Sequence, residues 1–144
     1  MIFSKKTYKH IFCGENNSHD DLVGFHHKGK KKSGDEIAYA TSMRRYSTTR
    51  MISMNKIRRL YEGDVYRIKD NKRKKGKGTS TFFPLNWDRK KVKKSVLDAS
   101  KKRIQDNYYY DENNDIVMCI CEDASGKILT AYPVICIVGV NDEI

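Results

Sequence analysis

The chain has 144 residues, enough for one ordinary domain with a real hydrophobic core and too few for two comfortable ones, so a single domain over residues 1–144 with one active site is expected. Its 29 Lys and Arg against 18 Asp and Glu leave a formal charge of +11, which favours a polyanionic partner, nucleic acid or acidic protein, through long-range attraction and counterion release. The opening Met1-Ile2-Phe3-Ser4-Lys5-Lys6 lacks the apolar stretch of a signal peptide, and the longest apolar run, residues 128–138, is broken by Thr130 and Pro133, so the domain is not expected to insert into a membrane.

The first thirty-odd residues carry all four histidines. His10-Ile11-Phe12-Cys13-Gly14-Glu15 and Gly24-Phe25-His26-His27 each set an imidazole near a glycine, where a phosphate backbone could approach closely. Cleaving RNA without a metal needs a base for the 2′-hydroxyl proton and an acid for the departing 5′-oxygen, and two histidines titrating near neutrality supply both. His19 reads as an ordinary surface histidine. His26 and His27 are adjacent, so on an extended segment only one of them faces a given site.

The run Lys28-Gly29-Lys30-Lys31-Lys32-Ser33-Gly34 marks a solvated loop. Residues 35–62 are ambiguous: Ile57, Leu60 and Tyr61 have helical spacing, whereas the serine-rich, β-branched stretch before them suits an extended chain. Val65-Tyr66-Arg67-Ile68 alternates like a strand, residues 69–77 form a basic hairpin loop broken by Gly76, and residues 79–83 are the returning strand, ended by Pro84. Asn86 can cap a helix beginning near Trp87, with Val92, Val96, Ala99 and Ile104 on its apolar side and Arg89, Lys90, Lys93, Lys94, Lys101 and Lys102 coating the rest. A hairpin closes the chain: residues 116–121, a turn through Asp123-Ala124-Ser125-Gly126, and residues 128–135. Period-two geometry puts Thr130 and Tyr132 on one strand face, a hydroxyl for a phosphate or base edge beside a ring for stacking. The expected class is α+β, an N-terminal helical or irregular part followed by antiparallel sheet.

Four ordered blocks carry a resemblance: the two histidine segments, Gly78-Thr79-Ser80-Thr81-Phe82-Phe83-Pro84 before a tryptophan-led helix, and Ile128-Leu129-Thr130-Ala131-Tyr132-Pro133, with His26 sixteen positions after His10. In these the chain resembles the EndoU RNA endonucleases, specifically their bacterial toxin branch. The resemblance implies a compact fold shared with barnase-like and colicin-type ribonucleases, no cofactor, and cleavage to a 2′,3′-cyclic phosphate with His26 as base and His10 as acid. By position it adds Thr130 and Tyr132 to the catalytic set, with Thr81, Glu15 and His27 as substrate contacts. Some members use a lysine to offset charge on the pentacovalent phosphorus; Lys77 has suitable spacing, with Lys74 and Lys75 beside it. Animal members carry an acid before the first histidine where this chain has Lys9, which sets metal-stimulated behaviour apart from it. The toxin branch further implies an RNA substrate such as tRNA, delivery as part of a longer secreted or cell-surface protein into a target-cell cytoplasm, as in contact-dependent growth inhibition, and a cognate immunity protein.

Two rivals remain open on the residues. A zinc site could draw on Cys119 and Cys121 with Cys13 or a histidine, although paired Cys-x-x-Cys knuckles are missing and buried reduced thiols explain the cysteines, Cys136 included, equally well. A catalytically silent RNA-binding module fits the charge and the nine tyrosines.

Overall fold

The computed structural model describes residues 1–28, 34–45 and 60–134. In chain order its elements are α1 (Lys5–Phe12), β1 (Glu15–Asn16), β2 (Leu22–Val23), β3 (Ala38–Arg45), β4 (Tyr61–Arg67), β5 (Thr79–Phe82), α2 (Arg89–Ala99), β6 (Arg103–Gln105), β7 (Tyr108–Asp111), β8 (Ile116–Glu122) and β9 (Ile128–Pro133). The strands form three antiparallel sheets, β1-β2, β3-β4-β5 and β6-β7-β8-β9, giving the α+β class that the sequence implies.

Helix α1 starts at Ser4, whose side chain accepts from the Thr7 amide while the Thr7 hydroxyl bonds the Ser4 amide in return, so two otherwise orphaned donors are satisfied. Thr7, Ile11 and Phe12 lie on its buried face, and the Thr7 hydroxyl also donates to the Ile128 carbonyl, fixing the helix against β9. Helix α2 begins two residues later than expected. Its cap is Asp88, accepting from the Lys91 amide at 2.8 Å, because the Trp87 amide donates to the Pro84 carbonyl and keeps residues 85–87 in a turn. Val92, Val96 and Ala99 are buried as the periodicity predicts. Ile104 is not on the helix but on β6, beyond a stop where the Ser100 hydroxyl donates to the Leu97 carbonyl. Arg89 does not coat the surface either: its side chain is only 13 % exposed, it pairs with Glu36 at 3.0 Å and it lies over the rings of Tyr8 and Phe12.

Tyr61 belongs to β4 rather than to a helix, since pairing with Arg45 on one side and Phe82 on the other outweighs its helical spacing to Leu60; Ile57 lies outside the described residues. The basic loop and returning strand form the β4–β5 hairpin as expected. Residues 29–33 of the first lysine run, Ile135 at the end of the expected last strand, and Cys136 also lie outside the described residues.

The main core packs Ile11, Phe12, Cys13, Val92, Val96 and Ala99 against Ile116, Met118, Ile120, Ile128 and Ala131, so both helices cover one face of the β6–β9 sheet. A second core under β3-β4-β5 joins Leu22, Phe25, Ala38, Val65 and Phe82. Strand β5 is an edge of its sheet and β9 an edge of its own, and the Thr81 hydroxyl donates to the Pro133 carbonyl at 2.7 Å to hold the two edges together. The candidate site lies over that seam.

Candidate active site

The C-terminal carbonyls of a helix have no partners within it. At the end of α1 they are taken by the second histidine segment: the Phe25 amide donates to the His10 carbonyl at 2.8 Å and the His26 amide to the Ile11 carbonyl at 2.7 Å. This approach requires a left-handed turn at Gly24 (φ +83°) and Phe25 (φ +72°), and a Cβ on residue 24 would stand 2.3 Å from the His10 carbonyl oxygen. The glycine beside the imidazole therefore admits the backbone of the other histidine.

The two imidazoles consequently face each other across a cleft of about 400 Å³, with ring centroids 6.1 Å apart. His10 Nδ1 lies 2.7 Å from Glu15 Oε1, and His26 Nδ1 lies 2.9 Å from the Thr81 carbonyl. A carbonyl only accepts, so His26 carries its proton on Nδ1 and presents a lone pair on Nε2. Glu15 likewise holds the His10 Nδ1 proton, leaving Nε2 for a ligand. Burial pushes the His26 pKa well below the usual histidine value, helped by the nearby Lys74 and His10. Burial also lowers His10, but there the Glu15 carboxylate works against it and favours the protonated ring.

Thr130 and Tyr132 enter the same cleft from β9, and the Tyr132 ring stacks on His26 at 5.1 Å between centroids with 22° between planes. Burial, with a hydrogen bond to the Cys119 side chain, raises the Tyr132 phenol above its ordinary value, so it stays neutral. Thr81 lines the cleft too, with its hydroxyl proton already given to Pro133.

Lys77 is exposed and is not among the cleft-lining residues. The lysine that reaches in is Lys74: its Nζ donates to Ser80 Oγ at 2.6 Å, Ser80 in turn donates to the Gly24 carbonyl, and burial lowers the ammonium pKa to about 8. The loop is aimed by Arg67, 3 % exposed, which grips Asp70 within its own loop, Asn16 of β1 and Asp20 of the β1–β2 turn. No local pattern separates Lys74 from Lys75 or Lys77. The distinguishing signal is the tertiary pairing of Arg67, together with a bridge between Tyr66 and Arg73 that turns residue 74 inward.

His27 points away from the cleft. It is fully buried, its Nε2 donates to the Pro84 carbonyl at 3.2 Å, its ring meets Phe12 edge-on, and burial lowers its pKa to about 4. Glu15 meets the His10 ring rather than the cleft itself. His19 is exposed. Cys13 lies in the main core, whereas Cys119 and Cys121 project from the opposite face of the sheet, so those three thiols do not converge; among the described residues no cluster of three or more His, Cys, Asp or Glu is placed to hold a metal.

The model of the family described as bacterial EndoU nuclease matches residues 4–135. A Bacillus cereus protein named "Toxin" is 28 % identical over 134 residues, covering 91 % of this chain and 23 % of its own length, so this chain spans about a quarter of that relative. No solved structure matches the chain. Among the described residues no helix is long and apolar enough to cross a membrane. With residues 4–135 matched, both histidine segments and the β9 segment included, the chain belongs to the bacterial EndoU nuclease family.

Proposed function

We propose that the chain is a metal-independent endoribonuclease acting by 2′-hydroxyl transesterification. His26 Nε2 takes the 2′-hydroxyl proton, the 2′-oxygen forms a bond to phosphorus, the bond from phosphorus to the 5′-oxygen breaks, and His10 Nε2 gives its proton to that leaving oxygen. The products are a 2′,3′-cyclic phosphate and a 5′-hydroxyl. The observation that carries this reading is the pair of imidazoles 6.1 Å apart across the cleft, each with Nδ1 tied to an acceptor. The environments divide the roles. His26 is the more strongly held neutral and serves as base, while the Glu15 carboxylate helps His10 keep the proton an acid needs.

Lys74 supplies the positive charge opposite the pentacovalent phosphorus. Thr130 donates to a non-bridging oxygen, Tyr132 orients His26 and contacts the ribose, and Thr81 offers its remaining lone pairs to a base N–H. The substrate is RNA, with tRNA favoured because a +11 surface suits a folded polyanion. As part of a longer delivered toxin, the domain acts in the cytoplasm of a target cell and is neutralised by an acidic immunity protein. The Bacillus cereus relative, named as a toxin and about four times longer than the matched stretch, supports that setting.

Incubating the purified chain with tRNA in EDTA tests the reaction class. Expected are fragments ending in 2′,3′-cyclic phosphate with 5′-hydroxyl partners. Intact RNA would leave a binding module, and cleavage only on adding zinc or magnesium would overturn the two-histidine mechanism.

A further inference from the structure

The face of the β6–β9 sheet turned away from the main core carries residues level with Tyr132. In register, Tyr132 on β9 pairs with Cys119 on β8, and Cys119 pairs with Tyr108 on β7, so three side chains stand in one row on one face. Val117 and Tyr110 form the next row, and Ile104, Tyr108, Tyr110 and Val134 pack on Val117 in a cluster separate from the main core. Strands two apart lie roughly 10 Å from each other. The central Cys119 is small and only 8 % exposed, so the floor between the two tyrosines is low. Tyr108 itself is half-buried. Beyond it Lys102 Nζ stands 5.1 Å from the Tyr110 ring centre, and that lysine is 53 % exposed in a surface pair with Glu112, a pairing of little strength.

We propose that this face extends the cleft as a nucleotide subsite: an unpaired RNA strand leaving the scissile phosphate passes from Tyr132 onto Tyr108, a base stacks on the Tyr108 ring, and the following phosphate reaches Lys102. The proposal rests on the nuclease reading of the cleft. Two observations favour RNA as the occupant. The face is continuous with the cleft through a shared residue, Tyr132, and the chain is strongly cationic, with Lys102 over the ring of Tyr110 in the adjoining row. A tyrosine platform is also tolerant of sequence, because every base has a π-face.

The test uses the His26→Ala chain, in which cutting is expected to be slowed on the order of 10²-fold or more, and measures Kd for an unpaired RNA of roughly 12 nucleotides and for a dinucleotide that spans only the scissile phosphate. Adding Tyr108→Ala is expected to weaken the longer RNA about tenfold or more and the dinucleotide by less than about threefold, while Tyr108→Phe, which keeps the ring, preserves both affinities. Equal loss for both RNAs would overturn the subsite, because it would mean that Tyr108 acts only through Tyr132. Unchanged RNA affinity with a lowered Tm would overturn it too, and would assign the face to a protein cover, whether the chain's own apolar residues 135–140 or another protein. Should Tyr108→Ala fail to fold, photo-crosslinking of a 5-iodouridine RNA to the His26→Ala chain decides: adducts on Tyr108 support the subsite, and adducts confined to the cleft overturn it. Loss of the subsite alone leaves the parent chain cutting RNA, whereas failure of the nuclease reading leaves RNA uncut.

Discussion

At the scale of single residues, chemistry in this site depends on what holds the second nitrogen of each ring. His26 donates Nδ1–H to a carbonyl and His10 donates to a carboxylate, the difference on which the proposed base and acid roles rest. The proposed cation is equally specific. Lys74 is partly desolvated and fixed by Ser80, whereas Lys77 is an exposed lysine of the same loop. Lys74→Ala is expected to lower kcat on the order of 10²-fold, in the range seen when one preorganised transition-state donor is lost. Lys77→Ala is expected to change it by less than about twofold, since solvated surface charges contribute little. Steady-state rates on one RNA decide, and the reverse order would place the cation on Lys77. That His10, His26, Thr130 and Tyr132 could share one cleft was legible in the sequence, because metal-free RNA cleavage calls for a pair of imidazoles and period-two geometry puts Thr130 and Tyr132 on one strand face. The identity of the lysine was not, since several neighbouring lysines are chemically alike and the buried Arg67 network, with the Tyr66–Arg73 bridge, selects among them.

At the scale of elements, the decisive join is between the end of α1 and the turn at Gly24. The last carbonyls of the helix accept from the Phe25 and His26 amides, so a helix-capping requirement also brings the two imidazoles together. Gly24→Ala would drive a Cβ into the His10 carbonyl and impose a left-handed backbone on a residue that resists it. The expected destabilisation is about 2 kcal/mol or more, a fall in Tm of roughly 6–10 °C, with RNA cleavage reduced further than the fraction folded accounts for. A variant that melts and cuts like the parent would remove this join from the account. The strands of β4, β5, β8 and β9 were legible from alternation and turn residues. The start of α2 was not, because Asn86 and Asp88 both make good caps and the Pro84 turn decides between them. Tyr61 was likewise ambiguous between helix and strand, since its strand partners come from distant parts of the chain.

At the scale of the whole molecule, the cleft exists because two sheets meet edge to edge. Strands β5 and β9 each end their own sheet, and the Thr81–Pro133 hydrogen bond closes the seam over which His26, Thr130 and Tyr132 are set. Sequence periodicity predicts strands and their faces but not which edges will join, so the seam became visible only in three dimensions. One face of the larger sheet is spent on the core with both helices, which leaves the other, bearing Tyr132, Cys119 and Tyr108, for the proposed subsite. The central claim is that His26 and His10 carry the proton transfers, and the most direct measurement is the single-turnover cleavage rate of one RNA in EDTA by the parent, His10→Ala and His26→Ala chains, each shown to be folded. Each substitution is expected to lower the rate on the order of 10²-fold or more; parental rates in both variants would contradict the account.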